Sequence, residues 1–156
     1  MSEHEQAPPR CEFDTDKLVI KHDQVVLSDV TIIDATVAKI MGVIRQNYCC
    51  RDLGNIDLAL RESLVNAIVH GNRSNAKRAV RICVAVQQDC GILIIVKDNG
   101  LGFEPNRLPN PVVGQALLAE HGRGIFLIKQ LMDDVRFNFD GGTSIYMRKG
   151  LQANSE

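Results

Sequence analysis

The apolar positions of this chain recur with two different periods, and the changes of period mark its elements. From Lys17 to Leu27 the alternation is partial (Leu18, Ile20, then Val25, Val26, Leu27), which predicts a strand or a tight hairpin about His22-Asp23. Ser28-Asp29 then has the residue types of a helix N-cap. Ile32, Ile33, Val37, Ile40, Met41 and Ile44 follow at helical spacing, so a helix is expected over 30–48. Arg51 to Asn55 reads as a turn containing Gly54. Asn55 or Asp57 is then placed to cap a second helix running to about Gly71.

Beyond a break at His70-Gly-Asn-Arg-Ser-Asn75 the period becomes two. Val80, Ile82, Val84 and Val86 alternate cleanly, and a turn at Asp89-Cys90-Gly91 leads into the β-branched run Ile92 to Val96. Two strands joined so tightly must be antiparallel. Residues 103–121 hold Pro105, Pro109, Pro111 and Gly114, which forbid a long regular element at the start; Gln115 to Glu120 is long enough for one short helix. A loop of this length in a compact domain is usually functional. Apolar residues at helical spacing return from Gly124 to Met132. Val135–Phe139 and Thr143–Arg148 then read as strands around Asp140-Gly-Gly142.

The order is strand, two helices, two strands, long loop, helix, two strands. It predicts an α+β fold, a two-layer α/β sandwich with a mixed, mostly antiparallel sheet and helices on one face. The expected organisation is a flexible segment over 1–15, one domain over 16–150 and a tail over 151–156.

Bulk properties narrow the function classes. The 156 residues suit one domain with a sizeable core. A formal net charge of -1 gives no electrostatic footprint for nucleic acid or an anionic membrane. No apolar run approaches the length of a transmembrane helix, and the polar first ten residues with two prolines do not read as a signal peptide. The cysteines at 11, 49, 50, 83 and 90 show no zinc spacing. They read as reduced thiols in a cytoplasmic protein, with Cys83 a small buried residue in a strand.

Three segments carry chemistry. On the second helix, at about 100° per residue, Leu60, Leu64, Ala67 and Ile68 form one stripe; Glu62, Asn66, His70 and Arg73 fall on roughly the opposite face. Mg²⁺ takes hard oxygen ligands and binds through few protein groups plus phosphates, so the neutral oxygen of Asn66 suffices beside a triphosphate. Glu62, one turn earlier, can orient or deprotonate a nucleophile. His70 reads equally as a capping or structural histidine. In Asp98-Asn-Gly-Leu-Gly102 a strand delivers a carboxylate to its end, where it can accept a hydrogen bond from an exocyclic amine such as adenine N6. Gly100 and Gly102 permit close approach of the backbone. His121-Gly-Arg-Gly124 opens a helix, whose free N–H groups suit phosphate, and Arg123 can add a charged contact.

Together and in this order these segments resemble the GHKL (Bergerat-fold) ATP-binding superfamily. Glu62-x-x-x-Asn66-Ala-x-x-His70 is similar to its N box, Asp98-x-Gly100-x-Gly102 to the first glycine box, His121-Gly122-Arg123-Gly124-Ile125 to the second, and Gly142-Thr143 to the final element. A free-standing domain of this size resembles the anti-sigma-factor serine kinases of bacterial partner switching. The resemblance implies ATP and Mg²⁺ as cofactors and a homodimer. It implies a sigma factor and a small anti-sigma-factor antagonist as partners, the antagonist phosphorylated on serine. By the same resemblance Glu62 is the general base, Asn66 the Mg²⁺ ligand and Asp98 the adenine contact. His70, Gly100, Gly102, Gly122, Arg123, Gly124 and Thr143 would line the nucleotide, with 103–121 as the ATP lid. An alternative is a switch module of the same fold acting on a non-sigma target, with or without kinase turnover.

Overall fold

The computed structural model describes residues 14–48, 52–88, 90–100, 124–139 and 141–151. Five strands form one sheet: β1 (Val19–Leu27), β2 (Ala79–Gln87), β3 (Gly91–Lys97), β4 (Asp134–Asn138) and β5 (Ser144–Gly150), in the order β1-β2-β3-β5-β4. All four pairings are antiparallel. The mixed sheet expected from sequence is therefore fully antiparallel among the described residues; the tight connections β2–β3 and β4–β5 require it of those two pairs.

The first apolar stretch is one strand and not a hairpin. β1 pairs along its length with β2, and an irregularity between Ile20 and His22 absorbs the broken alternation. Its outer edge is unpaired among the described residues, and Val19, Ile20, Val25 and Leu27 are exposed.

Three helices pack on one face: α1 (Ile33–Asn47), α2 (Leu53–Val65) and α3 (residues 124–131). Asp29 caps the short 3-10 turn that leads into α1, its carboxylate accepting the Thr31 N–H. Val37, Ile40 and Ile44 of α1, Ile56, Leu60 and Leu64 of α2, and Ile125 and Ile128 of α3 meet Ile82, Val84, Ile94, Val96 and Ile145 of the sheet in one core. A smaller cluster of Cys83, Leu93, Ile95 and Tyr146 lies on the opposite face of the sheet, with Leu18 against it. Every position of β3 is therefore buried, which is why it reads as an unbroken apolar run and not as an alternation.

Two local expectations fail. α2 starts at Leu53 behind Asp52, so Gly54, Asn55 and Asp57 are helical and cap nothing. Gly54 has open space around it and meets no steric demand for a turn. Asp57 instead accepts from Arg61 Nε at 2.8 Å along the helix surface. Second, Cys90, read with the other cysteines as reduced, is disulfide-bonded, whereas Cys83 is a free buried thiol. Cys90 sits at a strand junction, where its carbonyl accepts the Leu151 N–H.

Candidate functional site

The end of α2 is where regular helix gives way. Asn66–Gly71 forms a π-helical turn, with the Asn72 N–H reaching Ala67 O at 2.8 Å and the Ser74 N–H reaching Ile68 O at 2.8 Å. Such widened turns recur at functional positions. Here the turn begins one helical turn after Glu62, buries Asn66 and Ala67, and leaves His70 exposed at its far end.

β3 delivers the second group. Lys97 is followed by a tight turn at Asp98–Gly100 in which Asn99 takes φ 64°. The Asp98 side chain is only 3% exposed. Its Oδ1 accepts the Thr143 N–H at 2.8 Å, and its own N–H donates to Thr143 O at 3.1 Å. Two glycines make room for this carboxylate. A Cβ on Gly71 would overlap Asp98 Oδ2, and one on Gly142, which sits at φ +114°, would overlap Oδ1.

The first residue of α3 closes the arrangement. A Cβ on Gly124 would lie 3.1 Å from Glu62 Oε2, 3.1 Å from Asn66 Nδ2 and 3.4 Å from Asn66 Oδ1. Asn66, Ala67, Val96, Asp98, Ile125, Thr143 and Ile145 line one small cleft. Its walls are apolar (Ala67, Val96, Ile125, Ile145) and a carboxylate lies among them. Such a slot suits a flat ring carrying an amine donor.

The Asn66 carboxamide is 6% exposed, and its Nδ2 has no hydrogen-bond partner. A buried donor left so costs about 1–3 kcal/mol, and such groups in native proteins call for a functional explanation. Among the described residues no group of three or more His, Cys, Asp or Glu could hold a metal ion. A divalent cation next to Asn66 would therefore draw most of its oxygens from phosphates and water, the usual pattern for Mg²⁺. Among the described residues, the donor set suits Mg²⁺ carried by a nucleotide.

Of the residues singled out from sequence, the structure brings Glu62, Asn66 and Gly124 together, and places Asp98 and Thr143 along the same cleft. His70 is not among the lining residues. Gly100 ends the turn after β3. Gly102, Gly122, Arg123 and the expected lid lie outside the described residues. Three residues have roles that the sequence reading did not assign. Gly71 makes way for Asp98. Ile125 walls the cleft. Asn72, fully buried, donates from Nδ2 to Ser28 Oγ at 2.7 Å and Ala79 O at 3.0 Å, and accepts the Asn99 N–H at 2.9 Å. It thereby ties the π turn to the turn that carries Asp98.

Comparison with known proteins agrees with this geometry. Residues 33–149 match the family described as Histidine kinase-like ATPase domain. The chain is 29% identical over 129 residues to the Serine-protein kinase RsbW of Bacillus cereus (strain Q1), covering 79% of this chain and 78% of the relative. The RsbW of Bacillus thuringiensis subsp. konkukian (strain 97-27) gives the same values, and that of Bacillus cereus (strain B4264) is 28% identical over the same coverage. The family match spans most of the chain and includes all three helices, strands β2 to β4, nearly all of β5 and every residue of the cleft, so this protein belongs to the histidine kinase-like ATPase domain family.

Proposed function

We propose that this domain is a Mg·ATP-dependent protein serine kinase that also acts as an anti-sigma factor. In this reading it phosphorylates a small antagonist protein on serine and sequesters a sigma factor. The observation that carries it is the meeting of Glu62 and Asn66 with the first residue of α3, beside a cleft that holds the Asp98 carboxylate. The relatives named serine-protein kinase RsbW support the kinase assignment.

Each residue has a role in that chemistry. Asp98, its plane fixed by the Thr143 N–H, accepts from the exocyclic amine of adenine, and guanine's carbonyl at the matching place is repelled. Asn66 Oδ1 would hold Mg²⁺. Glu62 accepts the proton of the attacking serine hydroxyl as its oxygen forms the new bond to the γ-phosphorus and the bond to the β–γ bridging oxygen breaks. Mg·ATP supplies the phosphoryl group and the metal charge that offsets the developing negative charge. Gly100, Gly102, Gly122, Arg123 and Gly124 contribute backbone and guanidinium contacts to the nucleotide, His70 a more distant one, and 103–121 covers it. The kinase unit is residues 16–150, working as a homodimer in the cytoplasm.

The test is a pull-down from native host extract with and without Mg·ATP, read by mass spectrometry for partners and phosphoserine. A sigma factor and a small protein phosphorylated on serine are expected with the wild type. With Glu62→Gln phosphorylation falls by about 10²–10⁴-fold, the usual worth of a general base. Phosphorylation within a few-fold of wild type would remove Glu62 from the mechanism. A nucleotide-dependent partner without phosphorylation would leave a non-catalytic switch.

A further inference from the structure

Asn72 is not among the residues that line the cleft, yet each of its hydrogen-bonding groups is committed. It is fully buried. Its Nδ2 donates to Ser28 Oγ at 2.7 Å and to Ala79 O at 3.0 Å, and its Oδ1 accepts the Asn99 N–H at 2.9 Å. Its own N–H donates to Ala67 O at 2.8 Å, and its carbonyl accepts the Asn75 N–H at 3.0 Å. These partners fix which way the amide faces, because a backbone N–H can only donate and a backbone carbonyl can only accept.

The Asn99 contact is the one that bears on the site. Asn99 takes φ 64°, a left-handed state that a residue with a side chain keeps only where its neighbours enforce it. The Asp98 N–H is held by Thr143 O at 3.1 Å, and the next N–H along the chain is held by Asn72 Oδ1. Those two bonds lie on either side of the Asp98 Cα. They fix the two peptide planes that set the direction of its side chain. Thr143 also holds one carboxylate oxygen, and Gly71, the residue before Asn72, packs against the other. The carboxylate is thus aimed by two anchors, one on the approach to β5 and one on the turn after α2.

Backbone strain marks the second anchor. Arg73 and Ser74, directly after Asn72, both take left-handed conformations, at φ 51° and φ 54°. Two such residues in succession, neither of them glycine, persist only where the surrounding contacts over-determine them. Here the Ser74 N–H reaches back to Ile68 O at 2.8 Å. Ser28 Oγ, itself donating to Arg78 O at 2.8 Å, holds the carboxamide from the far side. Aspartate at position 72 would keep the acceptor and lose both donors, and alanine would lose all three.

We propose that Asn72 is a positioning residue for base specificity: by accepting the Asn99 N–H it aims Asp98 at the exocyclic amine, and so sets the preference for adenine without touching the nucleotide. The proposal deepens the ATP-binding reading and rests on it.

Calorimetry with the Mg²⁺ complexes of ATP and of purine riboside triphosphate, which lacks only the 6-amine, isolates the Asp98 contact. Wild type, Asn72→Ala, Asp98→Asn and the double variant form one cycle, with circular dichroism checking each fold. The wild type is expected to favour ATP, and Asn72→Ala to shrink that preference at least about five-fold. Made on top of Asp98→Asn, the same change should alter the preference by less than about two-fold, because the carboxylate it aims is already gone. Ser28→Ala loosens the carboxamide without removing it and should shrink the preference at least about two-fold; it carries the test if Asn72→Ala does not fold. A merely structural Asn72 gives the opposite pattern: lower thermal stability, both ligands weakened alike and the wild-type preference kept in both variants. That pattern would overturn the proposal, as would additive effects of Asn72→Ala and Asp98→Asn on the preference. A wild type that binds both ligands equally would remove base recognition by Asp98, and this inference with it, while leaving a nucleotide site. A wild type that binds neither would overturn the ATP-binding reading itself.

Discussion

At the residue scale the site depends as much on missing side chains as on present ones. Asp98 is held almost wholly buried because Gly71 and Gly142 leave its two oxygens room, and because the Thr143 N–H fixes one of them. A carboxylate so enclosed has one plane and little rotamer freedom left to lose on binding. That is the condition for a base-reading contact. Gly71→Ala places a methyl group onto Oδ2. Overpacking of this kind costs about 1–3 kcal/mol. The variant should unfold at lower urea concentration than wild type, and its ATP affinity by calorimetry should fall at least about 10-fold as Asp98 is pushed out of line. Unchanged affinity would show that the position of Asp98 is not what reads the base.

At the scale of elements, the two central strands and most helix ends were legible and the start of α2 was not, for physical reasons. In β2 the positions 80, 82 and 84 all enter the helix-covered core, so the period of two shows plainly. β3 is buried on both faces, so its run of Ile and Val is continuous. The start of α2 was misread because propensity treats Gly54 and Asn55 as turn residues, whereas packing of Ile56 and Leu60 pulls the first turn into helix behind Asp52. Asn72 carried no signal at all. Its three partners lie at Ser28, Ala79 and Asn99, and a lone Asn after a glycine predicts none of them. Glu62 and Asn66 could be paired from sequence because they lie one helical turn apart, and Asp98 stood out because glycines follow it at a strand end. Gly71 and Ile125 were not, because their roles exist only once β3 and α3 are folded against α2.

The second face of the sheet gives a prediction at this same scale. Cys83 is free and fully buried there, and burial pushes its thiol from 9.0 up to about 11. A raised value means that the folded state favours the protonated thiol. Its contribution to stability is therefore full below pH 9.0 and is lost as the pH rises from there through about 11. Urea unfolding of wild type and Cys83→Ala should show a stability difference that narrows between pH 8 and pH 10.5. Mass-spectrometric mapping of iodoacetamide adducts at pH 8 should find Cys83 unmodified in the native protein and modified in urea. Rapid native labelling at Cys83 would contradict the packing described for Leu93, Ile95 and Tyr146 around it.

For the whole molecule, the antiparallel sheet and its one-sided helices bring three distant stretches of chain to one place. α2 and its π turn present Glu62 and Asn66, the end of β3 presents Asp98, and the approach to β5 presents Thr143. α3 lays Gly124 and Ile125 across them. No helix among the described residues is long and apolar enough to cross a membrane. The family match from residue 33 to residue 149 spans all of these stretches.

The central claim is that this cleft binds Mg·ATP through Asn66 and Asp98. Isothermal calorimetry of Mg·ATP and Mg·GTP with wild type, Asn66→Ala and Asp98→Asn measures it directly. The account predicts that wild type binds Mg·ATP well ahead of Mg·GTP and that Asn66→Ala loses Mg·ATP binding. Asp98→Asn should weaken ATP by roughly 10- to 100-fold, the worth of a hydrogen bond to a charged group. Equal affinity for ATP and GTP in the wild type, or tight Mg·ATP binding that survives both substitutions, would contradict it.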